Sequence, residues 1–442
     1  MVNKRDQSKN AEVLGVYLEP TAAQSVRVGS LLRDPTGSVS FIVDESYIER
    51  GPGRPILSLA FHATSGEEDT IDRLRQRNDK MGRVTSLPPY FTNLLPEGAL
   101  RSVVEAQLPP GDNNEFGMLR RLGGDLPGAV VIRDEGAAKL PVTGGKSSTL
   151  AAMPPEDPEL VKFSLAGVQM KFSMIAAGDR LVIPAHGEGG RIIAKLPSKD
   201  YPDLPEIEYG AMRLAEAVGV EIAKVSLVPV SRIEGIRESF LRPGKNVLAV
   251  QRFDRDGERR IHMEDFAQIL GAVGNQKYSK ANIETMVRLA ARFTPDPAAT
   301  VLEMVRRIVV DIMLGNGDSH LKNTSFLYTD GRTPTLSPAY DIVPTIFFQK
   351  DDNLALRFNG KRAFERITPH EFERMAGYVD VSPRAVLREI KRTVERANDT
   401  WPTLLRELPW SAGIKRTMAA RWPGLALFDG QNNPFKLGPW HG

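Results

Sequence analysis

The sequence contains no cysteine among its 442 residues. That absence excludes disulfide bonds, cysteine-ligated zinc, iron–sulfur clusters and thiol catalysis. It is compatible with the reducing environment of the cytoplasm. The six histidines are scattered without the spacing of metal ligands, so the pattern argues against a zinc site as well.

Long apolar runs and an excess of one charge are also missing. No segment approaches the roughly 18 consecutive apolar residues of a membrane-spanning helix. The first ten residues, MVNKRDQSKN, are charged and polar, unlike a secretory signal. The 58 Lys and Arg residues against 55 Asp and Glu give a net charge of only +3, which does not indicate a nucleic-acid-binding protein. We therefore expect a soluble, cytoplasmic protein with no membrane partner.

Hydrophobic periodicity divides the chain into a β-rich half and a mostly helical half, joined at about residue 250. Short strand-like pieces such as SVSFIV, ILSLAF and GRIIAKLP occupy the first half. The second half has helical spacing, interrupted by a predicted hairpin around Asp330-Gly331. Two halves of this kind predict two lobes with a cleft between them, where a ligand would bind.

Changes in composition place the boundaries of the predicted domains. Residues 134–160 are rich in Gly, Ser and Pro and are typical of a linker. The predicted division is a disordered tail (1–10), a β-rich subdomain (11–135), a second strand-rich region (136–250) and a helical region (251–442).

The stretch LGNGDSHLKN, residues 314–323, concentrates polar groups between two apolar segments. Asp318 and Asn323 have the spacing of the D-x-x-x-x-N catalytic loop of kinases. Phosphoryl transfer needs a carboxylate that accepts the proton of the attacking hydroxyl and an amide oxygen that holds Mg²⁺. A second metal-binding carboxylate is available at Asp341, because the predicted hairpin returns the chain beside Asn323. Alone, the motif is more simply a turn that ends a helix, but Asp341 favours a site.

Lys195 lies inside the apolar strand GRIIAKLP. An unpaired buried ammonium group is costly, so this lysine needs a partner. Phosphate oxygens would supply one, and Glu208 on the following predicted helix would pair with it at rest, as in kinases. Glu206 is the less favoured partner. The alternative is an edge-strand lysine whose amine reaches water.

Weaker candidates complete the predicted site. The turn SLAGVQMK, with Ser164, Ala166, Gly167 and Lys171, offers backbone N–H groups to phosphates, although it lacks the G-x-G-x-x-G of ordinary protein kinases.

Two candidates lie inside the 314–323 stretch, and two more at the boundary between the halves. His320 would bind the transferred phosphoryl group or orient Asp318, and Lys322 would neutralise phosphate charge; a turn histidine and a solvated lysine are the alternatives. Gln251 and Phe253, in QRFDR, would form a hinge beside adenine, or simply end a strand.

With these residues assembled, the chain resembles the HipA-like serine/threonine kinases, the toxins of bacterial type II toxin–antitoxin modules. The resemblance runs from about residue 26 to 360 and rests on motifs in the expected order: VGSLLRD, SFIVDESYI, PPYFTNLLPEG, LRRLGGDLPGAVVI, SLAGVQMK, IIAKLP, QRFDR, MEDFAQ, GNGDSHLKN and SPAYDIVPT. It implies an α+β fold with two kinase-like lobes, an extra N-terminal β-rich subdomain and a mainly helical C-terminal lobe.

The resemblance also implies roles for individual residues. Lys195 would bind the phosphates of ATP, and Asp318 would be the catalytic base. Asn323 and Asp341 would hold Mg²⁺. Gln251, with Phe253, would line the adenine hinge, although relatives commonly carry an acid at the position of Gln251.

Regulation and partners follow from the same resemblance. Ser164 matches a serine that family members autophosphorylate to switch the kinase off, and a phosphate there would repel the phosphates of ATP. The implied partners are a translation component as substrate, with an aminoacyl-tRNA synthetase as the best-known target class, and a small helix-turn-helix antitoxin. Operator DNA would be reached indirectly, through that antitoxin.

Two other classes of function remain open from the sequence. GDSHLKN also resembles the G-D-x-H-x-x-N loop of phosphoinositide-type lipid kinases, and small-molecule phosphotransferases share D-x-x-x-x-N. The bacterial-looking N-terminal half and the lack of a basic membrane-facing stretch argue against a lipid kinase. A non-catalytic repressor partner with a degenerate kinase fold is the third class, and retention of Lys195, Asp318, Asn323 and Asp341 argues against it.

Overall fold

The computed structural model describes five stretches of the chain, residues 10–76, 86–139, 169–184, 189–349 and 352–428. Three residues of the predicted phosphate-binding turn, Ser164, Ala166 and Gly167, lie outside these stretches, as do residues 1–9 of the predicted tail. Within the described stretches, no helix is long and apolar enough to cross a membrane.

Among the described residues, four antiparallel strands and five α-helices form the N-terminal region. They are β1 (Asn10–Thr21), β2 (Gln24–Arg33), β3 (Val39–Val43), α1 (Glu45–Ile48), α2 (Glu67–Arg75), α3 (Pro89–Thr92), α4 (Gly98–Glu105), α5 (Glu115–Leu122) and β4 (Val130–Lys139). The sheet has the order β3-β2-β1-β4. Leu14 of β1 lies opposite Leu31 of β2, and both join a core that includes Phe91 and Leu119.

The prediction of a strand at ILSLAF, residues 56–61, is wrong. The structure has a 3-10 helix there, Leu59–Phe61. Its backbone amides bind side chains instead of a neighbouring strand: Ala60 N donates to Ser58 Oγ (3.1 Å), and Leu59 N donates to Glu264 Oε1 (2.9 Å). Long-range side-chain partners therefore overrode the local β propensity.

The second region is a six-stranded sheet with one long helix. Its elements are β5 (Lys171–Ala177), β6 (Arg180–Val182), β7 (Ile192–Lys195), α6 (Leu204–Ala217), β8 (Val225–Pro229), β9 (Ile233–Glu234) and β10 (Asn246–Gln251). The sheet order is β8-β10-β7-β5-β6-β9. Alternate residues of β10 face opposite sides, as strand geometry requires: Leu248 and Val250 join the core that contains α6, and Val247 and Ala249 join a smaller core.

The third region is mainly helical. Its elements are β11 (Arg255–Asp256), β12 (Arg259–Arg260), β13 (His262–Asp265), α7 (Phe266–Leu270), α8 (Ile283–Phe293), α9 (Pro297–Leu314), β14 (Ser325–Tyr328), β15 (Thr335–Leu336), α10 (Pro369–Ala376), α11 (Pro383–Glu407) and α12 (Ala412–Arg421). Helix α9 is central, with Val309, Ile312 and Met313 fully buried. Several sheets beside a helical C-terminal region confirm the predicted α+β class.

The hairpin predicted around Asp330-Gly331 is present. Phe326 of β14 lies opposite Leu336 of β15 in an antiparallel pair. Gly331 has a positive φ of 80°, which a residue without a Cβ adopts readily in a tight turn. The hairpin returns the chain to the start of β14, so Asn323 and Asp341 end on the same cavity wall.

Candidate active site

One cavity of about 940 Å³ brings together most of the predicted site residues. Those on its wall are Lys171, Lys195, Gln251, Phe253, His320, Lys322, Asn323 and Asp341. Asp318 is only 6% exposed and lies beside His320, off the cavity wall. The cavity has the size of a small-molecule site, and all three regions of the chain contribute to its wall.

Lys195 ends strand β7 and is buried between two carboxylates. Its Nζ lies 2.5 Å from Glu208 Oε1 of α6 and 2.5 Å from Asp341 Oδ1. Burial alone would lower the pKa of Lys195, but the charges of Asp341 and Glu208 outweigh it and raise the pKa above its usual value. The lysine is therefore charged, and it pairs with Glu208 as the sequence suggested; it does not reach water as an edge lysine.

Lys171 lies directly opposite Lys195 in the antiparallel pairing of β5 with β7. Residues in register point to the same face, and both lysines line the cavity. The pKa of Lys171 is lowered by removal of water and by the neighbouring charge of Lys195, against the attraction of Asp341. Like charges directly opposite one another destabilise a sheet, so the pair favours a polyanion in the cavity.

Asp341 follows the hairpin in a left-handed backbone conformation, with φ of 60°. Residues other than glycine rarely adopt this conformation, and such strain is concentrated at functional sites. Burial would raise the pKa of Asp341, but Lys195 and Lys171 hold it well below its usual range. Asp341 is therefore an ionised carboxylate on the cavity wall.

Asn323 supplies a second oxygen beside Asp341 on this wall. Its Nδ2 donates to the backbone oxygen of Asp318 at 2.9 Å, which leaves the amide oxygen for a ligand. One carboxylate and one amide oxygen suit Mg²⁺, which keeps several waters and takes further ligands from phosphates. The described residues contain no cluster of three or more His, Asp or Glu side chains fit to hold a metal by themselves.

The segment that carries Asp318 is fixed by the end of α9. Gly315 caps the helix in the left-handed conformation (φ 72°), and a Cβ there would meet Ile346 at 2.7 Å. A Cβ at Gly317 would overlap the carboxylate of Asp352. The two glycines of LGNGD therefore allow a close turn, and Asp318 emerges from it with its Oδ1 accepting a hydrogen bond from Tyr278 Oη at 2.5 Å.

His320 lines the cavity beside Asp318. Its Nε2 lies 3.9 Å from Asp318 Oδ1, and neither ring nitrogen has a hydrogen-bond partner although the residue is 2% exposed. Burial, aided by the charge of Lys277, lowers the pKa of His320 to about 3. The ring is therefore neutral and presents one donor and one acceptor nitrogen.

Sequence reasoning missed Glu97, which the N-terminal region contributes to the cavity wall. Glu97 binds Lys322 Nζ through Oε1 (2.8 Å) and Lys277 Nζ through Oε2 (2.7 Å). Lys322 is thus ion-paired on the wall and does not face solvent alone. Glu97 belongs to the motif PPYFTNLLPEG, but nothing local indicates that this glutamate reaches a lysine 225 residues away.

The segment QRFDR joins β10 to the N-terminal region by buried charges. Gln251 is exposed to the cavity, and Phe253 packs near Tyr340 with ring centroids 5.5 Å apart. Between them, Arg252 Nη1 binds Asp125 Oδ1 at 2.8 Å and Arg252 Nη2 binds Asp254 Oδ2 at 2.8 Å. Arg255 contacts the same two carboxylates. Asp125 was not predicted as part of this site.

The structure has a sheet with a buried lysine–glutamate pair. This sheet faces a helical region that carries an Asp–Asn loop and a further aspartate. The combination defines the class of kinase-like folds. Two family models match the chain: the HipA N-terminal domain over residues 21–133 and the HipA-like C-terminal domain over residues 163–401. The chain therefore belongs to the HipA-like kinase family, and the predicted membership is confirmed.

Curated relatives agree with this assignment. The putative kinase Y4dM of Sinorhizobium fredii is 35% identical, over 91% of this chain and 95% of that protein. The serine/threonine-protein kinase toxin HipA of Shewanella oneidensis is 27% identical, over 61% of this chain and 66% of that protein.

A solved structure shows the fold. HipA in the Shewanella oneidensis toxin–antitoxin complex of HipA, HipB and operator DNA superimposes with a TM-score of 0.67 at 22% identity. The superposition covers 94% of this chain and 96% of that chain. The predicted kinase-like architecture is therefore confirmed at the level of the fold.

Proposed function

We propose that this chain is a serine/threonine protein kinase that uses Mg-ATP. The observation that carries the proposal is the opposed pair Lys171 and Lys195, which face one cavity together with Asp341 and Asn323. Two cations and two metal-binding oxygens on one wall are what a nucleoside triphosphate with its metal requires. The relative named a serine/threonine-protein kinase toxin supports protein as the acceptor.

In this proposal the sheet side of the cavity binds the nucleotide. Lys195 and Lys171 bind phosphate oxygens, and Glu208 holds Lys195 in place by the 2.5 Å ion pair. Gln251 and Phe253, at the end of β10, line the adenine end. Ser164, Ala166 and Gly167 lie outside the described residues, and their place in a phosphate-binding turn stays a prediction.

Asn323 and Asp341 would hold Mg²⁺, which, when bound, neutralises phosphate charge and aligns the phosphates for transfer. The ionised state of Asp341 suits this role. Asp318 would accept the proton of the acceptor hydroxyl as its oxygen bonds to the γ-phosphorus of ATP, while the bond from that phosphorus to the bridging oxygen breaks and ADP leaves. His320, neutral and without a partner for either nitrogen, would donate to a phosphoryl oxygen or orient the acceptor beside Asp318.

The finer parts of the proposal concern regulation and partners. Autophosphorylation of Ser164 would switch the kinase off by placing negative charge against the phosphate site. The HipA–HipB–operator complex supports a small antitoxin partner of the HipB type, which would carry the contact with operator DNA. The proposed substrate is a translation component, an aminoacyl-tRNA synthetase above all.

Incubation with Mg-ATP tests the proposal directly. We expect the wild-type protein to gain about 80 Da per phosphate, with the modification on Ser164 in tryptic peptides. Asp318→Ala should lower the rate of incorporation by about 100-fold or more, because the general base is lost. Asp179→Ala is a matched control, since that carboxylate is 69% exposed on a turn of the sheet.

Each result has a distinct meaning. Equal incorporation by the wild type and Asp318→Ala would contradict the assignment of the base. Phosphate on other residues but never on Ser164 would contradict the proposed switch alone. Transfer to a lipid head group without any transfer to protein would favour the lipid-kinase class. Phosphoproteomics of cells that express the wild type or Asp318→Ala would identify the substrate.

A further inference from the structure

Tyr278 makes a contact that the proposed reaction does not yet use. Its Oη donates a hydrogen bond to Asp318 Oδ1 at 2.5 Å, and Tyr278 is only 2% exposed. We propose that Tyr278 is a positioning residue, which fixes the orientation of the Asp318 carboxylate toward the acceptor hydroxyl. The inference rests on the proposed function, in which Asp318 is the catalytic base.

Tyr278 is itself held firmly. It ends the 3-10 helix Gly274–Tyr278, and its backbone oxygen accepts a hydrogen bond from Arg362 Nη2 at 3.2 Å. Its ring meets the ring of His320 edge to face, with centroids 5.0 Å apart. The preceding residue, Lys277, is bound by Glu97 at 2.7 Å. A phenol with these restraints is a fixed donor.

A fixed donor matters because the last torsion of an aspartate is soft. Rotation about χ2 is broad and roughly two-fold, so the side chain alone does not select which oxygen faces the substrate. With Oδ1 bound to Tyr278, the second oxygen, Oδ2, has a defined direction. General-base catalysis depends on such alignment, and small errors of position lower the rate strongly.

The contact leaves the nucleotide pocket untouched. Tyr278 is not on the cavity wall, whereas Lys171, Lys195 and Asp341 are. Loss of the hydroxyl should therefore slow phosphoryl transfer without weakening nucleotide binding. A residue needed only for stability would instead lower the fraction of folded protein and leave the rate per folded molecule unchanged.

The test is Tyr278→Phe, which keeps the ring packed on His320 and removes only the hydroxyl. Phosphate incorporation from γ-labelled ATP with Mg²⁺ is measured on the chain itself and on a degenerate serine/threonine peptide mixture. Rates are expressed per nucleotide-binding site, counted by titration with a fluorescent ATP analogue, so that misfolded protein does not contribute. We expect kcat to fall about 10-fold or more while KM for Mg-ATP stays within two-fold of the wild type.

Tyr378→Phe is the matched control, because that side chain is 51% exposed, and it should behave as the wild type. A Tyr278→Phe protein with wild-type kcat, or with kcat and nucleotide affinity reduced in parallel, would overturn the inference. Asp318→Asn, measured in the same assay, separates this failure from failure of the proposed function. Full activity of Asp318→Asn would contradict the assignment of Asp318 as the catalytic base. An inactive Asp318→Asn together with a fully active Tyr278→Phe would contradict only the positioning role of Tyr278.

Discussion

Two lysine side chains place like charges on the same wall of the cavity. Lys171 and Lys195 lie directly opposite on neighbouring strands, and such a pair of like charges costs free energy. Lys195 is compensated by Glu208 and Asp341. Lys171 faces the cavity with a lowered pKa, which means that the folded state disfavours its charge.

Replacing Lys171 should therefore change stability and affinity in opposite directions. We expect Lys171→Met to raise the free energy of unfolding of the ligand-free protein by about 0.2–1 kcal/mol, because a like-charge pair is removed. The same change should weaken binding of Mg-ATP about 10-fold, because a charge-assisted contact is lost. Thermal unfolding with and without Mg-ATP measures both effects.

Lys199→Met is the control for that experiment, since Lys199 is exposed beyond the end of β7. It should leave both quantities unchanged. A Lys171→Met protein that loses stability, or that binds Mg-ATP as well as the wild type, would contradict the assignment of Lys171 to the phosphate site.

Among the elements, strand β13 carries three buried titratable groups, His262, Glu264 and Asp265, and the first two contact the N-terminal region. Glu264 accepts hydrogen bonds from Ser58 Oγ (2.7 Å), Leu59 N (2.9 Å) and Tyr328 Oη. Burial nevertheless raises the pKa of Glu264 to about 7. His262 donates through Nε2 to the backbone oxygen of Leu57 at 2.9 Å, and burial lowers its pKa to about 4.

These pKa values predict how stability depends on pH. Glu264 ionises more easily in the unfolded chain, with a pKa of 4.5, so its contribution is fully present below 4.5 and is lost as pH rises toward about 7. His262 acts in the opposite sense: its contribution is present above 6.5 and is lost as pH falls toward about 4.

Glu264→Gln isolates the first of these effects. Urea unfolding of the wild type and the variant should show a stability difference that changes by up to about 3 kcal/mol across this pH window, because only the wild type has an ionisable side chain at position 264 while the other titrating groups are common to both proteins. A constant difference across that range would contradict the raised pKa. His262→Gln, which keeps Glu264, should retain the loss with rising pH.

In the whole molecule, ion pairs connect the N-terminal region to two parts of the cavity wall. Glu97 binds Lys322 and Lys277 of the helical region. On the other side, Asp125 binds Arg252 (2.8 Å) and Arg255 (3.1 Å), beside Gln251 and Phe253. The N-terminal region is therefore part of the site's framework.

Breaking the contacts of Asp125 should affect both the stability of the protein and the proposed nucleotide pocket. The side chains of Arg252 and Arg255 are each 6% exposed. In Asp125→Ala they keep the Asp254 carboxylate and lose the Asp125 carboxylate. We expect the free energy of unfolding to fall by about 2 kcal/mol or more, since two buried guanidinium groups each lose one of their two carboxylate partners. Affinity for a fluorescent ATP analogue should fall several-fold, because Arg252 lies between Gln251 and Phe253.

Asp72→Ala provides the comparison, since Asp72 is exposed on α2 of the same region. It should match the wild type in both measurements. If Asp125→Ala destabilised the protein but bound the ATP analogue with unchanged affinity, the N-terminal region would be a structural neighbour of the pocket and not part of its framework.

Local patterns in the sequence predict the fold class, the hairpin and several of the residues that line the cavity. The spacing of Asp318 and Asn323, the lysine in an apolar strand and the Asp-Gly turn all carry their signal within a few residues, and the structure places Lys195, Asn323 and Asp341 on one wall. Hydrophobic periodicity and turn-forming residues depend only on neighbours along the chain. The α+β class and the hairpin are therefore predictable from the sequence. The strand predicted at ILSLAF failed because a distant side chain, Glu264, binds that backbone.

Other features depend on contacts that no local pattern encodes. The register that opposes Lys171 to Lys195, the left-handed backbone at Asp341 and the hydroxyl of Tyr278 on Asp318 arise from packing between distant segments. Tyr278 and Asp318 are 40 residues apart, and Glu97 and Lys322 are 225 apart. The amino-acid order supplied the reactive groups and the elements that carry them. Packing between distant elements set which of those groups meet, because a buried charge or hydrogen-bonding group is stable only with a partner in reach.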